Sequence, residues 1–282
     1  MSATLEDRRP PGPSGLLETI QVIPLAAWRL FRVLLHVLTA YAKSHSTWPR
    51  LDQQGWHDET IRWSRQLLVI LGIRLDVQGQ ARPGAKLVVA NHVSWLDIVA
   101  INSVVPSRFV SKADVADWPL VGRLVTVAGT LYLVRERLRD AMRVLGLMAK
   151  ALQEGHTVAV FPEGTTGTGH DVMHFHANLL QAAIDAPAPV QPVVLRYSDP
   201  QHAVSPAAAY AGDTSLMQSL WWIATARGLC VHAHILPLQS VAHADRRALA
   251  EVLQAQLSES DRKSGSAGMP RPTLPSRMPS SA

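Results

Sequence analysis

A histidine and an aspartate five positions apart, His92 and Asp97, lie where an apolar run becomes polar, in the segment KLVVANHVSWLDI (86–98). The run LVVA reads as a buried strand, and Ser94 reads as the N-cap of a helix beginning near Trp95. His92 is then at a strand-to-helix corner, with Asp97 in the first turns of the helix. A helix start can fold back so that the carboxylate accepts one ring N–H. That contact fixes the tautomer and leaves the other nitrogen as a general base. A base held this way contributes about 10²–10⁴ in rate. The same two residue types at this spacing also occur as idle surface pairs; the strand-end position is what marks this one.

Two further segments end apolar runs in polar corners. TVAVFPEGTT (157–166) carries Glu163 between Pro162 and Gly164, an acid placed to bind hydroxyls or to orient a basic partner. An ordinary turn uses the same proline and glycine. GTLYLVR (129–135) ends in Arg135, a side chain suited to holding a phosphate or carboxylate bidentately, and also a common surface residue. Two histidine clusters invite a metal: His170, His174 and His176, and Cys230, His232 and His234 alternating on one strand face. Neither set is completed convincingly by a carboxylate, so no metal site is assigned.

The elements that must position these residues follow from periodicity. Short β-rich runs (RLDVQ, KLVVA, SRFVS, TLYLV, TVAVF, PVVLRY and VHAHIL) alternate with helical patterns. One helix precedes them at about 57–72. Another lies between the fourth and fifth runs, with Ala141, Val144, Leu145, Met148 and Leu152 on one face and Gly155 as its stop. Strands alternating with helices predict an α/β fold: a single domain whose mostly parallel central sheet is flanked by helices. In such sheets chemistry gathers at strand ends.

The chain has 282 residues, 47% hydrophobic and 17% charged, against about 25% charged in an ordinary soluble domain. Its formal charge of +5 favours anionic surfaces. The basic residues are scattered and carry no nucleic-acid-binding signature. The single cysteine, Cys230, cannot form a disulfide within the chain and excludes a zinc site of several thiolates. Residues 1–15 read as a disordered leader without the pattern of a secretory signal, and 259–282 as a disordered tail. Between them, 16–56 reads as an N-terminal helical segment with its linker, and 57–258 as the catalytic domain.

The run from Leu25 to Tyr41 is long enough for a short membrane span but is interrupted by Arg29, Arg32 and His36. At about 100° per residue these and Lys43 fall in an arc of roughly 60°. A helix lying in the membrane interface, cations toward headgroups and Trp28 at the boundary, avoids burying two arginines in hydrocarbon.

Taken in order, NHVSWLD, GTLYLVR, FPEGTT and VQPVVL (190–195) resemble the four sequence blocks of the glycerolipid, 1-acylglycerol-3-phosphate-type, acyltransferases, and SKADVADWPLVG between the first two fits the same family. The resemblance covers roughly Ile73 to Tyr197. It implies that His92, oriented by Asp97, activates the free hydroxyl of a lysolipid for attack on acyl-CoA or acyl-carrier protein. Arg135, Glu163, Gly164 and Thr165, with Lys112, are then expected to hold the acceptor. It also implies no cofactor or metal, and a place on the cytoplasmic membrane with the active site facing the cytosol. The third block departs from the family at Thr166, where an arginine often stands. That leaves two acceptors open, 1-acylglycerol 3-phosphate and lyso-ornithine lipid. A non-enzymatic reading, a basic membrane-surface binding protein, is disfavoured by the intact His92, Asp97 and Glu163.

Overall fold

The computed structural model describes residues 16–133, 138–242 and 244–267. The apolar runs form β1 (Arg74–Gly79), β2 (Lys86–Ala90), β3 (Arg108–Lys112), β4 (Leu131–Leu133), β5 (Thr157–Val160), β6 (Val190–Ser198) and β7 (Cys230–Ile235). The helices are α1 (Leu16–Ser46), α2 (Gln53–Leu71), α3 (Leu96–Asn102) and α4 (Val121–Val127). They continue with α5 (Leu138–Gln153), α6 (Gln181–Asp185), α7 (Leu216–Thr225) and α8 (Arg246–Ala267). The strands join one sheet in the order β1-β7-β6-β2-β5-β3-β4. All neighbours are parallel except β6 with β7. This is the mostly parallel α/β sheet that the alternating pattern predicts.

Side-chain alternation along β2 shows why both faces are covered. Val88 and Ala90 enter one core with Leu67 and Leu71 of α2, Leu96 and Ile101 of α3, and Ile223 of α7. Leu87 and Val89 enter the other with Val144, Met148 and Leu152 of α5 and Leu253 and Leu257 of α8. Removing each such side chain from water contributes about 1.5–3 kcal/mol. Gly155, in the left-handed region at φ 90°, ends the α5 segment where the sequence predicts its stop.

Two expectations are corrected. Composition places a tail from residue 259, yet α8 continues to Ala267. Ser260 and Asp261 are buried, and Arg196 Nη1 donates to the Asp261 carbonyl at 3.0 Å. Tertiary contact holds turns that propensity alone leaves frayed. The expected leader, 1–15, and residues 268–282 lie outside the described residues.

The second correction concerns the cationic arc of α1, which faces the protein rather than headgroups. Arg29 Nη1 donates to the carbonyls of Ala224 at 2.9 Å and Ala226 at 2.7 Å. His36 stacks on Trp63 with ring centroids 5.0 Å apart, and Lys43 pairs with Glu59 at 3.2 Å. Helix ends leave carbonyls without intrahelical partners, and Arg29 satisfies those at the end of α7. Of the arc, Arg32 alone is exposed with Lys43 at its rim. The apolar side of α1 is left outward: Ile23, Trp28, Phe31, Leu34, Leu35 and Leu38 are all exposed.

Candidate active site

Three adjacent parallel strands, β6, β2 and β5, bring their C-terminal ends to one edge of the sheet. The chain leaves β2 through Asn91, whose side-chain amide bonds both the carbonyl (2.9 Å) and the N–H (2.8 Å) of Leu195 on β6. Anchored there, the chain turns sharply and presents His92. The His92 ring stacks on Phe161, just past β5, at a centroid distance of 3.9 Å and 6° between planes. Its side chain is 19% exposed, so one edge of the ring is open to a ligand.

Asp97 lies in the first turn of α3 with no exposed surface. Its Oδ2 accepts from His92 Nδ1 at 2.8 Å and from the backbone N–H groups of Val93 (2.7 Å) and Ser94 (2.9 Å). Its Oδ1 accepts the hydroxyl of Tyr197 at 2.7 Å. A carboxylate can only accept, so the contact requires an N–H on His92 Nδ1 and turns Nε2 away from the acid. Burial, then the charge and hydrogen bond of Asp97, hold the Tyr197 hydroxyl well above the usual phenol range, so it stays a donor. Ser94 is not the N-cap. The helix begins at Leu96 with Trp95 as its N-cap and no side-chain cap, and Asp97 reaches back to the N–H groups of Val93 and Ser94 just before it.

Glu163, expected to hold the acceptor, is turned inward and bonds backbone N–H groups. It is 5% exposed; Oε2 accepts the His92 N–H at 2.9 Å and Oε1 the Met173 N–H at 3.0 Å. Gly167 N–H donates in turn to the His92 carbonyl at 2.7 Å. The segment 163–173 is therefore clasped around His92 through both sides of its peptide. Gly164, at φ 70°, and Thr165 form the exposed rim of this clasp. Gly164 lies beside the His176 ring: a Cβ there would meet His176 Cδ2 at 3.5 Å. Thr166, where the arginine is missing, turns its hydroxyl to the Tyr210 carbonyl. Lys112 is exposed at the C-terminal end of β3, and Arg135 lies outside the described residues.

Sequence reasoning did not assign Phe161, Tyr197, Asn91 or Tyr210. Phe161 and Tyr197 do stand at the ends of apolar runs, a signal that was available; their partners, at separations such as the 100 residues between Asp97 and Tyr197, carry none. The histidines of the strand cluster are engaged in hydrogen bonds. His232 is shared between Asp76 (3.0 Å) and Ser198 (2.8 Å), and His234 meets Ser260 at 2.7 Å. Among the described residues no three His, Cys, Asp or Glu side chains converge to hold an ion.

A buried acid bonded to a partly exposed histidine at the end of a parallel sheet is an arrangement suited to a general base. Comparison with known proteins narrows the class. The sequence profile of the Acyltransferase family matches residues 74–196. A 1-acyl-sn-glycerol-3-phosphate acyltransferase of Neisseria meningitidis is 36% identical over 200 residues, 70% of this chain and 78% of that protein. A lyso-ornithine lipid O-acyltransferase of Pseudomonas aeruginosa is 35% identical over 219 residues, 77% of this chain and 84% of that one. The chain belongs to the acyltransferase family, and it is an enzyme of that class. The crystal structure of the 1-acyl-sn-glycerophosphate acyltransferase PlsC from Thermotoga maritima shares the fold. The TM-score is 0.65 at 19% identity, covering 87% of this chain and 97% of that one.

Proposed function

We propose that this enzyme transfers a fatty acyl group from a thioester donor, acyl-CoA or acyl-carrier protein, to the free hydroxyl of a lysolipid. The observation that carries the reading is the His92–Asp97 contact at 2.8 Å, backed by three further donors on the same carboxylate. His92 Nε2 takes the hydroxyl proton as the acceptor oxygen attacks the thioester carbonyl. The C–S bond then breaks, and the departing thiolate receives that proton from His92. No group of the enzyme needs to be acylated. Gly164 and Thr165 on the rim, with Lys112 and Arg135, are the residues proposed to meet the acceptor.

The acceptor we favour is 1-acylglycerol 3-phosphate, giving phosphatidate. One observation favours the second reading, lyso-ornithine lipid: Thr166 supplies no cation, and its hydroxyl is spent on Tyr210. The membrane belongs to the same proposal. The segment Val22–Ser46 is long and apolar enough to cross a bilayer, and few of its residues are buried. Packed along α2 and α7 and fastened by Arg29, α1 suits a place in the interface of the cytoplasmic membrane, apolar side in the acyl region. Thioester donors of these kinds place the catalytic edge on the cytosolic side.

The test is acyl transfer by purified enzyme from labelled acyl-CoA and acyl-carrier protein to lysophosphatidate and to lyso-ornithine lipid, with His92→Ala beside it. Lysophosphatidate turnover that disappears in the variant supports phosphatidate synthesis. Turnover of lyso-ornithine lipid alone moves the enzyme to the second acceptor, and activity unchanged in His92→Ala overturns the mechanism.

A further inference from the structure

Helix α7 carries no charged residue in its ten positions, LMQSLWWIAT. A helix on a water-facing surface ordinarily has a charged or polar outer side. The inner side of α7 is accounted for: Ser219, Ile223 and Ala224 are buried, with Ile223 in the core shared by α2 and α3. The outer side carries Met217 and Trp221, one helical turn apart, 71% and 43% exposed, with the uncharged Gln218 beside them. Met217 is the most exposed of the large apolar side chains among the described residues.

Two fastenings give this face a meaning. Arg29 closes the last turn of α7 onto α1, the helix with the exposed row Trp28, Phe31, Leu34 and Leu35. On the other side, Trp95 Nε1 donates to Ser219 Oγ at 3.1 Å, and Trp95 is two residues from Asp97. Helix α7 thus bridges α1 and the corner that holds His92 and Asp97.

We propose that α7 is a second lipid-contacting element, with Met217 and Trp221 entering the bilayer beside α1 and setting the position of the His92 corner against the membrane. The proposal rests on the membrane reading above. Its occupant is a bilayer rather than a protein because α7 packs against and is fastened to α1, whose outward side is the apolar row proposed to meet lipid. The exposed Arg227 two residues beyond the helix and a chain charge of +5 also suit anionic headgroups. A tryptophan at such a boundary has its apolar body in lipid and its N–H near water.

The experiment measures partition of the full chain onto mixed phosphatidylcholine–phosphatidylglycerol vesicles. Three proteins are compared: wild type, Met217→Ser/Trp221→Ser, and Trp28→Ser/Phe31→Ser, each checked for an unchanged circular dichroism spectrum. Partition of the α7 variant weakened by on the order of tenfold is the expected result. Quenching of wild-type fluorescence by brominated lipid should also exceed that of Trp221→Phe, a variant that keeps the apolar face. An α7 variant that binds like wild type while the α1 variant is weakened overturns the proposal and leaves the membrane reading standing. If neither variant is weakened, the membrane reading fails and takes the proposal with it. Wild-type vesicle binding by an α7 variant that sediments as a monomer, where the unaltered chain sediments as a dimer, assigns the face to a second copy and overturns it too.

Discussion

The carboxylate of Glu163 accepts the backbone N–H of His92 at 2.9 Å from inside the protein, so an acid in the most recognisable corner of the sequence supports the base from behind. Burial raises its pKa from 4.5 to about 7, against the lowering effect of the His92 and Met173 N–H groups. The folded state therefore keeps a proton that the unfolded chain has already released. That contribution to stability is fully present below pH 4.5 and is lost as pH rises through about 7. Denaturant unfolding from pH 5 to 8 is expected to show a decline of up to about 3 kcal/mol that Glu163→Gln lacks. Parallel pH slopes in the two proteins would remove Glu163 as the source.

Asp97→Asn keeps the shape of the buried corner but offers an amide N–H₂ where acceptors are needed. It can no longer enforce the Nδ1–H tautomer of His92. We expect kcat to fall by on the order of 10²–10⁴ with the KM for the thioester donor little changed. A variant that keeps half of the wild-type kcat would mean that orientation by Asp97 is not what activates the base.

Tyr197→Phe removes the donor to Oδ1 of Asp97 and leaves a buried carboxylate oxygen one partner short. Loss of about 1–3 kcal/mol in urea unfolding is expected. The kcat loss should be smaller than in Asp97→Asn, because the contact from Oδ2 to His92 survives. Equal losses of kcat in the two variants would show that the tyrosine does more than satisfy the acid.

Gly72, the C-cap of α2 at φ 73°, lies under the guanidinium of Arg29; a Cβ built there falls 2.0 Å from Arg29 Nη2. Gly72→Ala is expected to displace Arg29 from the Ala224 and Ala226 carbonyls, loosening the end of α7, and to cost about 1–3 kcal/mol. Hydrogen exchange should quicken in 222–228 and stay unchanged in β2 and β5. Unaltered protection across α7 would show that Arg29 is not what holds it.

The sequence by itself determined the strands, the helices before β1 and around Met148, and the closeness of His92 to Asp97, because these depend on local chemistry. Apolar runs such as LVVA need burial on both faces, the 3.6-residue pattern around Met148 needs one covered face, and His92 and Asp97 are close enough along the chain for one turn to join them. Tertiary structure alone decided which way polar groups point. The arc of Arg29, His36 and Lys43 looks the same on a helical wheel whether it meets headgroups or the end of α7. Only the placement of its partners turns it inward: the carbonyls of Ala224 and Ala226, nearly two hundred residues away, for Arg29, the Trp63 ring for His36 and Glu59 for Lys43. Glu163 reads as a ligand-binding acid until the His92 and Met173 N–H groups are brought to it, and Tyr197 reads as one more strand residue until β6 is set beside β2. Spacing along the chain specifies local partners; a buried hydrogen bond between distant residues exists only once the sheet order has brought them together.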